Sequence, residues 1–466
     1  MAILAGALIL RVILAQHGGQ FYFPDESRFR LSVQAVVDLA LGSEGHPWRD
    51  TFSHGDHLGF RVIMMAVAFL QILWDWDRAT VAIIASGIFS VGSILWIYGI
   101  SRRLGAGREE ARWAALLMAA SNAMFYWASH LMPYDLALWF ALGAMYAALH
   151  PAPGSRQSML VGFLGFWAFV TYNGYWLIVG LVLIMHVLLA WPSPRRMANR
   201  ALSGFIGLAG PMFALLIAAK ALGLPLIDSY QTFSKSITQG DFNDGRRMIV
   251  EYLWNAESML FILWLLGAAW FLQAWIRGTA REWRRPAIGL LGALAVMGSL
   301  VWFSDVQQKF VVYGRLIRQV VPFFSLVGAW TAAAVCARWE NIRWSRAVLA
   351  AVIVVLGGWN QARPLMIPWD FYQRATKLKN EYLKKTPDTA GAQLKGSQIQ
   401  FVMQGYIWPW PRRFDLPPHD VLMSEPHPLE YPPFLYEGFN REQRRVILST
   451  DIRNQLILLK NPPAGP

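Results

Sequence analysis

Long apolar runs constrain this chain more than any other feature of its sequence. A bilayer offers no hydrogen bonds, so a segment that crosses it must pair its own backbone groups, most simply as a helix of about twenty apolar residues. About eleven runs are long enough, or nearly long enough, to cross: 2–15, 80–100, 112–129, 135–150, 159–171, 174–191, 201–219, 257–276, 286–303, 316–335 and 346–359. The chain is 55% hydrophobic and only 15% charged, which is far more apolar than a soluble domain. We therefore predict a mostly α-helical, polytopic membrane protein with about eleven transmembrane helices.

Arginines in the connections predict how the chain is oriented. The formal net charge is +13, but most of the arginines stand in short turns between apolar runs, which is typical of topology signals rather than of nucleic-acid binding. The arginine-rich turns are 102–112, 195–200, 277–285 and 338–346. The positive-inside rule places all four in the cytoplasm. The connections 130–134 and 220–256, and everything after Trp359, are then predicted to lie outside.

The first 79 residues hold two apolar stretches that need separate interpretations. Residues 1–15 lack a small-residue cleavage site, so a first transmembrane helix fits them better than a signal peptide. The stretch 58–74 would invert the orientation of all later spans if it crossed. We therefore interpret it as an interfacial or re-entrant helix on the outer face, within a first outer loop of residues 16–79.

The C-terminal region differs in composition from the rest. After residue 359, proline and charged residues become more frequent, and the apolar runs 399–402 and 456–459 are short and strand-like. The sequence thus predicts two domains. Residues 1–359 form the transmembrane module, and residues 360–466 form a small soluble α/β domain on the outer side.

Acidic residues occur at two outer boundaries of the predicted bundle. Asp25 and Glu26 are adjacent in the first outer loop, and Asp135 stands immediately before an apolar helix. Taken singly, the pair is better explained as a solvated acidic turn, and Asp135 as an N-terminal helix cap. Because the arginine pattern independently places all three on one membrane face, we predict that they meet in one site.

This order of features resembles the GT-C superfamily of integral membrane glycosyltransferases. The similarity is to the protein mannosyltransferase and aminoarabinose transferase-like (glycosyltransferase family 39-like) branch and covers most of residues 1–335. It rests on a helix followed by Asp25-Glu26, an outer-face helix, an arginine-rich turn, and Pro133-Tyr134-Asp135 before a helix. The late run 313–318 (Tyr-Gly-Arg-Leu-Ile-Arg), followed by Pro322, is similar to the family's arginine-containing outer loop and helix. The resemblance implies a GT-C helix arrangement in the cell inner (cytoplasmic) membrane, with the active site and C-terminal domain on the periplasmic side.

The resemblance also implies an activity and its residues. The expected reaction is the inverting transfer of a sugar from a polyprenyl-phosphate-linked donor to a hydroxyl or amine of a glycan, lipid or protein. Asp25 would act as the base, Glu26 would orient the acceptor, and Asp135 would order the cavity or bind sugar or acceptor. Cations would hold the leaving phosphate, and arginine offers a bidentate contact. The candidates for donor-phosphate binding are Arg315, Arg318, Lys309, Arg246, Arg247, His57 and Tyr313. For the cations, a simple headgroup anchor at the interface is the open alternative.

The loop before the outer-face helix differs from the family's usual sequence, and it contains possible metal ligands. Relatives often carry Lys-Pro-Pro or His-Pro-Pro before the outer-face helix, whereas residues 53–58 read Ser-His-Gly-Asp-His-Leu. His54 or His57 would replace that phosphate contact, or both are plain loop residues. Together with Asp25, Glu26 and Asp56 they also offer ligands for a divalent metal. The spacing matches no dedicated metal motif, so we expect that no metal cofactor is required.

Two other functions compete with the transferase. A transporter or flippase of a lipid-linked saccharide would place ionisable residues at mid-membrane and would show related halves. The predicted spans hold few charges, and no convincing internal repeat is present. A lipid-linked glycan polymerase or ligase would use the same face and lipid phosphate, but not the Asp25-Glu26 loop.

Overall fold

A computed structural model describes residues 1–17, 57–73, 79–128, 131–238, 245–278, 284–308, 312, 314–339 and 344–359. The described residues are mostly helical, and no strand occurs among them. The predicted soluble domain, 360–466, and the predicted Asp25-Glu26 loop lie outside the described residues. The two-domain division therefore stays a prediction.

Helices are the main elements of the described residues. They are α1 (Ala2–His17), α2 (Leu58–Leu73), α3 (Ala79–Arg103), α4 (Arg108–Ala119), α5 (Asn122–Trp127), α6 (Tyr134–Ala148), α7 (Ser155–Thr171), α8 (Trp176–Leu188), α9 (Pro194–Ala221), α10 (Leu226–Thr238), α11 (Gly245–Ala256), α12 (Ser258–Ile276), α13 (Arg284–Val301), α14 (Gly314–Ile317), α15 (Val321–Arg338) and α16 (Ser345–Trp359). Short 3₁₀ turns precede α8 and α15, and a π turn extends α13.

Each predicted apolar run coincides with helical structure. Five of the described helical segments are long and apolar enough to span a membrane: Ile83–Arg103, Pro194–Ala221, Ser258–Ile276, Arg284–Val306 and Arg315–Arg338. The prediction of a multi-pass, mostly α-helical membrane protein is confirmed. The total of about eleven spans stays a prediction, because the other apolar helices are shorter than that criterion requires.

One predicted span is interrupted. The run 112–129 was expected to form one helix, but α4 ends at Ala119 and α5 begins at Asn122. The break lies where the Ser121 hydroxyl and the N–H of Ala123 donate to Glu257, and the N–H of Met124 donates to Ser121. Two polar residues, Ser121 and Asn122, stand at the break, but they are too few to mark it within a run that is otherwise mostly apolar.

Glycines allow α7 and α9 to touch through their backbones. A Cβ atom built on Gly207 of α9 would lie only 2.0 Å from the carbonyl oxygen of Met159 in α7. One built on Gly162 of α7 would lie 2.0 Å from the carbonyl oxygen of Gly204. Close approach at small residues is the usual way in which helices pack inside a bilayer, where hydrophobic contact with lipid competes. The crossing fixes α7, whose C-terminal end carries part of the candidate site.

Three of the four arginine-rich turns meet at one end of the bundle. Arg285 pairs with Glu110 at 2.8 Å and donates to the carbonyl oxygen of Gly105 at 3.3 Å. Arg346 pairs with Glu109 at 2.9 Å. These contacts join the starts of α4, α13 and α16, as expected for turns on one membrane face.

Candidate active site

The candidate site is formed by the ends of several helices opposite the arginine-rich turns. Helices α12 and α15 both run into such turns, so they begin at the other end of the bundle. Helix α6 begins there as well, because it follows α4 and α5 away from the arginine-rich end. Helix α7 ends there, at Thr171, and the 3₁₀ turn Asn173–Tyr175 leads directly into α8.

Asp135 and Arg318 form a buried ion pair in this region. Asp135 is the second residue of α6, and Arg318 stands in the 3₁₀ turn before α15. The Nη2 group of Arg318 donates to Oδ1 of Asp135, and both residues are 0% exposed. The same nitrogen lies 3.3 Å from the sulfur of Met124. Each charge therefore neutralises the other where water cannot screen them.

Several polar atoms around this pair have no hydrogen-bond partner among the described residues. They are Oδ2 of Asp135, Nε and Nη1 of Arg318, and the hydroxyl of the fully buried Tyr175. Buried polar groups are normally satisfied, and unsatisfied ones cluster where a protein binds water or a ligand. The Asp135–Arg318 pair is thus a buried region in which several polar atoms lack a hydrogen-bond partner among the described residues.

A second group of contacts connects Arg315 to His57 through two tyrosines. Nη1 of Arg315 donates to the hydroxyl of Tyr134 at 2.8 Å. The Tyr134 ring packs edge-on against Tyr172, with centroids 4.7 Å apart, and Tyr172 stacks on His57 at 5.4 Å. Nδ1 of His57 lies 3.3 Å from the carbonyl oxygen of Thr171. We call Arg315, Tyr134, Tyr172 and His57 the aromatic layer.

The aromatic layer brings together two of the residues predicted to bind phosphate. His57 immediately precedes α2, and Arg315 stands in α14, so the sequence separates them widely. Gln319 fixes the α14 segment: its amide donates to the carbonyl oxygens of Gly174 and Leu316, at 3.2 and 3.1 Å, and accepts from the N–H of Ile178 at 3.3 Å. The turn that carries Arg315 and Arg318 is thereby held against the start of α8.

Arg246 and Arg247, also predicted to bind phosphate, lie at the start of α11. Nε of Arg246 is 2.6 Å from Oδ2 of Asp305, and Oδ1 of Asp305 accepts from the N–H of Gly245 at 2.7 Å. Asp305 therefore caps α11 while it holds Arg246, whose side chain is 78% exposed. Arg247 is exposed too. Helix α11 packs against α14, so both arginines belong to the same region of the protein as Arg315.

The remaining predicted site residues cannot be placed. Asp25, Glu26, Lys309 and Tyr313 lie outside the described residues, as do His54 and Asp56. Among the residues that the structure does describe, no group of three or more His, Cys, Asp or Glu side chains is arranged to hold a metal. The roles assigned from sequence, including the metal question, stay predictions.

Two buried charges next to the ion pair were not predicted as part of the site. Arg11 in α1 and Glu257, the residue before α12, are 2% and 3% exposed. Arg11 was visible only as a charge in an apolar run, and Glu257 as the boundary of another. Tyr172 and Tyr175 were likewise missed, because aromatic residues at span ends are common interfacial anchors.

Comparisons with known proteins identify the fold. No protein-family model matches the sequence, and no curated protein sequence matches it significantly. Among solved structures, the chain is similar to ArnT from Cupriavidus metallidurans bound to undecaprenyl phosphate. That match has a TM-score of 0.52 and 14% sequence identity, and covers 76% of this chain and 63% of that one. The predicted GT-C resemblance is thus confirmed as a fold.

Two weaker similarities are to archaeal oligosaccharyltransferase structures from Archaeoglobus fulgidus. One is the oligosaccharyltransferase AglB in complex with an inhibitory peptide and a dolichol-phosphate, with a TM-score of 0.48, 12% identity, and coverage of 91% of this chain and 61% of that one. The other is the oligosaccharyltransferase complex with Zn and sulfate, with a TM-score of 0.47, 12% identity, and coverage of 91% and 59%. This chain therefore spans less than two thirds of the length of the structures that it matches.

Proposed function

We propose that this chain is a membrane glycosyltransferase that moves a sugar from a polyprenyl-phosphate donor to an acceptor hydroxyl or amine. The acceptor belongs to a glycan, a lipid or a protein. The observation that carries the proposal is the aromatic layer beside the Asp135–Arg318 pair, on a fold shared with a protein crystallised with undecaprenyl phosphate. Both groups lie at the end of the bundle that the arginine pattern assigns to the outer face of the cytoplasmic membrane.

The first proposed role is to hold the donor phosphate. When the bond between the anomeric carbon and the phosphate oxygen breaks, its electron pair stays on that oxygen and the phosphate gains negative charge. A fixed cation stabilises that charge without reorganising during the reaction. Arg315 suits this role because Tyr134 already fixes one side of its guanidinium group, and His57 in the same layer supplies a second polar contact.

The second proposed role is to activate the acceptor. Asp25 takes the proton from the acceptor as its oxygen or nitrogen attacks the anomeric carbon from the side opposite the phosphate. A single displacement of this kind inverts the anomeric centre and forms no covalent sugar–enzyme intermediate. Glu26 orients the acceptor. Asp135, which Arg318 neutralises, orders the site rather than accepting a proton.

No step of the proposed reaction uses a metal ion. Phosphate charge is met by arginine, and the proton goes to a carboxylate. A divalent ion bound by the first outer loop is the alternative, and a chelator in the transfer assay distinguishes the two. Loss of transfer on chelation, with recovery on adding a divalent salt, would assign the phosphate contact to a metal.

One observation favours a transporter or flippase as the second candidate. Asp135, Glu257 and Arg318 are buried inside the bundle, and buried ionisable residues in a membrane commonly mark transport pathways. However, all three stand at the beginnings of α6, α12 and α15 rather than near their middles. They are also held by fixed partners, so we favour the transferase.

The decisive experiment follows labelled sugar from a panel of polyprenyl-phosphate sugars in proteoliposomes. It compares the wild type with Asp25→Asn and with Glu109→Gln, a control that alters an exposed carboxylate at the arginine-rich end. We expect transfer by the wild type and the control, and none by well-folded Asp25→Asn. Transfer that survives in Asp25→Asn would refute Asp25 as the base and favour a polymerase or ligase. A wild type that transfers no sugar but moves labelled lipid between leaflets would refute the transferase and establish the flippase.

A further inference from the structure

The break between α4 and α5 is held by the carboxylate of Glu257, which immediately precedes α12 and is distant in sequence. The first N–H groups of any helix lack partners within it. At the start of α5, the N–H of Ala123 donates to Oε1 of Glu257 at 2.7 Å, and the N–H of Met124 donates to the hydroxyl of Ser121 at 3.2 Å. The Ser121 hydroxyl in turn donates to Oε1 of Glu257 at 2.6 Å. One buried side chain therefore fixes the backbone geometry of the break.

An arginine holds the same break from the other side. Nη2 of Arg11 donates to the carbonyl oxygen of Met124 at 3.2 Å, and its Nε donates to Ser90 at 3.1 Å. The hydroxyl of Ser90 also reaches the Met124 carbonyl oxygen, at 3.3 Å. Nη1 of Arg11 bonds its own helix at the carbonyl oxygen of Ala7. Helix α1, which precedes the Asp25-Glu26 loop in the chain, is thereby tied to the break.

Met124 also contacts the Asp135–Arg318 ion pair. Its sulfur lies 3.3 Å from Nη2 of Arg318, the same nitrogen that donates to Asp135. At their formal charges, Arg11 and Arg318 are positive and Asp135 and Glu257 are negative, so the four buried groups sum to zero. Glu257 is also attracted by Arg318, and Arg11 by Asp135. The four residues form one connected group around Met124, which we call the buried charge group.

We propose that Arg11 and Glu257 are positioning residues for sugar transfer. By fixing the segment from Ser121 to Met124, they set the position of Arg318, and through it that of Asp135. The inference rests on the proposed function, and it assigns neither residue a contact with substrate. Displacing reactive groups by about 1 Å costs about 100-fold in rate, so a residue remote from the reacting atoms produces a large kinetic effect.

The kinetic test compares variants that separate hydrogen bonding from charge. Glu257→Leu removes the acceptor for Ser121 and Ala123, whereas Glu257→Gln keeps an oxygen there and removes the charge. We expect Glu257→Leu to lower kcat for transfer about 100-fold, with the donor KM little changed. Glu257→Gln should recover most of that loss, and Glu109→Gln should behave as the wild type.

Ser121→Ala is the milder variant of the same contact, and it serves if Glu257→Leu does not fold. It should lower kcat in the same direction by a smaller factor. Combined with Glu257→Leu it should add less than its own single loss, because the two changes share the hydrogen bond between Ser121 and Glu257. Wild-type kcat in well-folded Glu257→Leu or Ser121→Ala would overturn the inference. So would a Glu257→Gln variant as slow as Glu257→Leu, because charge rather than hydrogen bonding would then be responsible.

Hydrogen–deuterium exchange tests the positioning without any donor. Peptides covering 131–138 and 314–320, which carry Asp135 and Arg318, should exchange faster in Glu257→Leu and in Arg11→Met than in the wild type. Unchanged exchange in both peptides would overturn the inference even if transfer falls. A wild type that transfers no sugar would refute the proposed function alone, since the exchange result still decides whether the break positions the ion pair.

Discussion

Replacing Arg318 by methionine leaves a buried carboxylate with neither its counter-charge nor its hydrogen-bond donor. Arg318 donates to Oδ1 of Asp135, and Oδ2 of Asp135 accepts no hydrogen bond from the described residues. Methionine keeps most of the arginine side chain's length, so loss of packing is a small part of the effect. After the substitution, the buried charge group holds two carboxylates against the single cation of Arg11.

The magnitude follows from the complete burial of both partners. Removing one member of a buried ion pair costs about 3–5 kcal/mol, because the other charge stays buried and uncompensated. That loss lowers the folded-to-unfolded ratio by about 10²–10⁴. The positive end of α6 also acts on Asp135, which stands in its first turn. It acts in the wild type and the variant alike, so it does not offset the loss.

A double variant separates charge balance from every other contribution. Asp135→Leu combined with Arg318→Met removes both charges and leaves Arg11 balanced by Glu257. Replacing a whole buried pair by apolar side chains of similar size is often neutral, so we expect the double variant to unfold within about 1 kcal/mol of the wild type. Its sugar transfer should nevertheless be absent, since both polar groups have left the candidate site.

The assay is reversible unfolding in mixed micelles by SDS titration, followed by the fluorescence of the 23 tryptophans. The free energy of unfolding is compared at one SDS mole fraction for the wild type, Arg318→Met and the double variant. We expect the wild type and the double variant to have similar free energies of unfolding, and Arg318→Met to have a much lower one. If Arg318→Met is as stable as the double variant, Asp135 is not charged in the folded protein, and the charge-balance reasoning fails.

Three further predictions follow from other contacts. Gly207→Ala places a Cβ against the Met159 carbonyl oxygen. It should lower the free energy of unfolding by about 1–3 kcal/mol and lower the yield of monodisperse protein. Gly210→Ala is the control, because a Cβ there meets nothing within 4 Å, and it should do neither. Arg315→Lys should raise the donor KM about tenfold, because lysine has no planar fork for phosphate; an unchanged KM would remove Arg315 from the phosphate site. Burial raises the pKa of Glu110 despite the nearby positive charge. The protonated Glu110 side chain therefore stabilises the fold fully below the pKa that it has in the unfolded chain. This stabilisation is lost as pH rises through its pKa in the folded protein. Glu110→Gln should therefore have a higher melting temperature than the wild type at pH 8 but not at pH 4.

Local information was sufficient for the helices but not for their interruptions. A run such as 201–219 specifies its helix by composition alone, because lipid leaves the backbone no other way to satisfy its hydrogen bonds. The break after Ala119 has a different cause. Glu257, which is far along the chain, accepts the hydrogen bond from the N–H of Ala123. The residues of the run 112–129 do not predict this partner.

Sequence reasoning selected some residues that the structure brings together, but it did not predict which of them contact each other. His57 and Arg315 were both selected for phosphate binding, and the structure joins them through Tyr134 and Tyr172. Asp135 and Arg318 were assigned to different parts of the reaction, yet they bind each other. The motifs report which side chains a site requires. They do not report which of them neutralise one another, because that depends on helix packing.

Arg11 shows what a charge inside an apolar run does imply. An unpaired guanidinium facing lipid is costly, so an arginine within a spanning helix requires either a route to the interface or buried partners. The structure shows the second solution, with acceptors at Ala7, Ser90 and Met124. Those acceptors are neutral, so among the described residues the charge of Arg11 is balanced within the group that includes Asp135 and Glu257. The conditions that allow a charge in the membrane therefore also tie the first helix to the candidate site, and the helix that leads to Asp25 is held in register with Asp135 and Arg318.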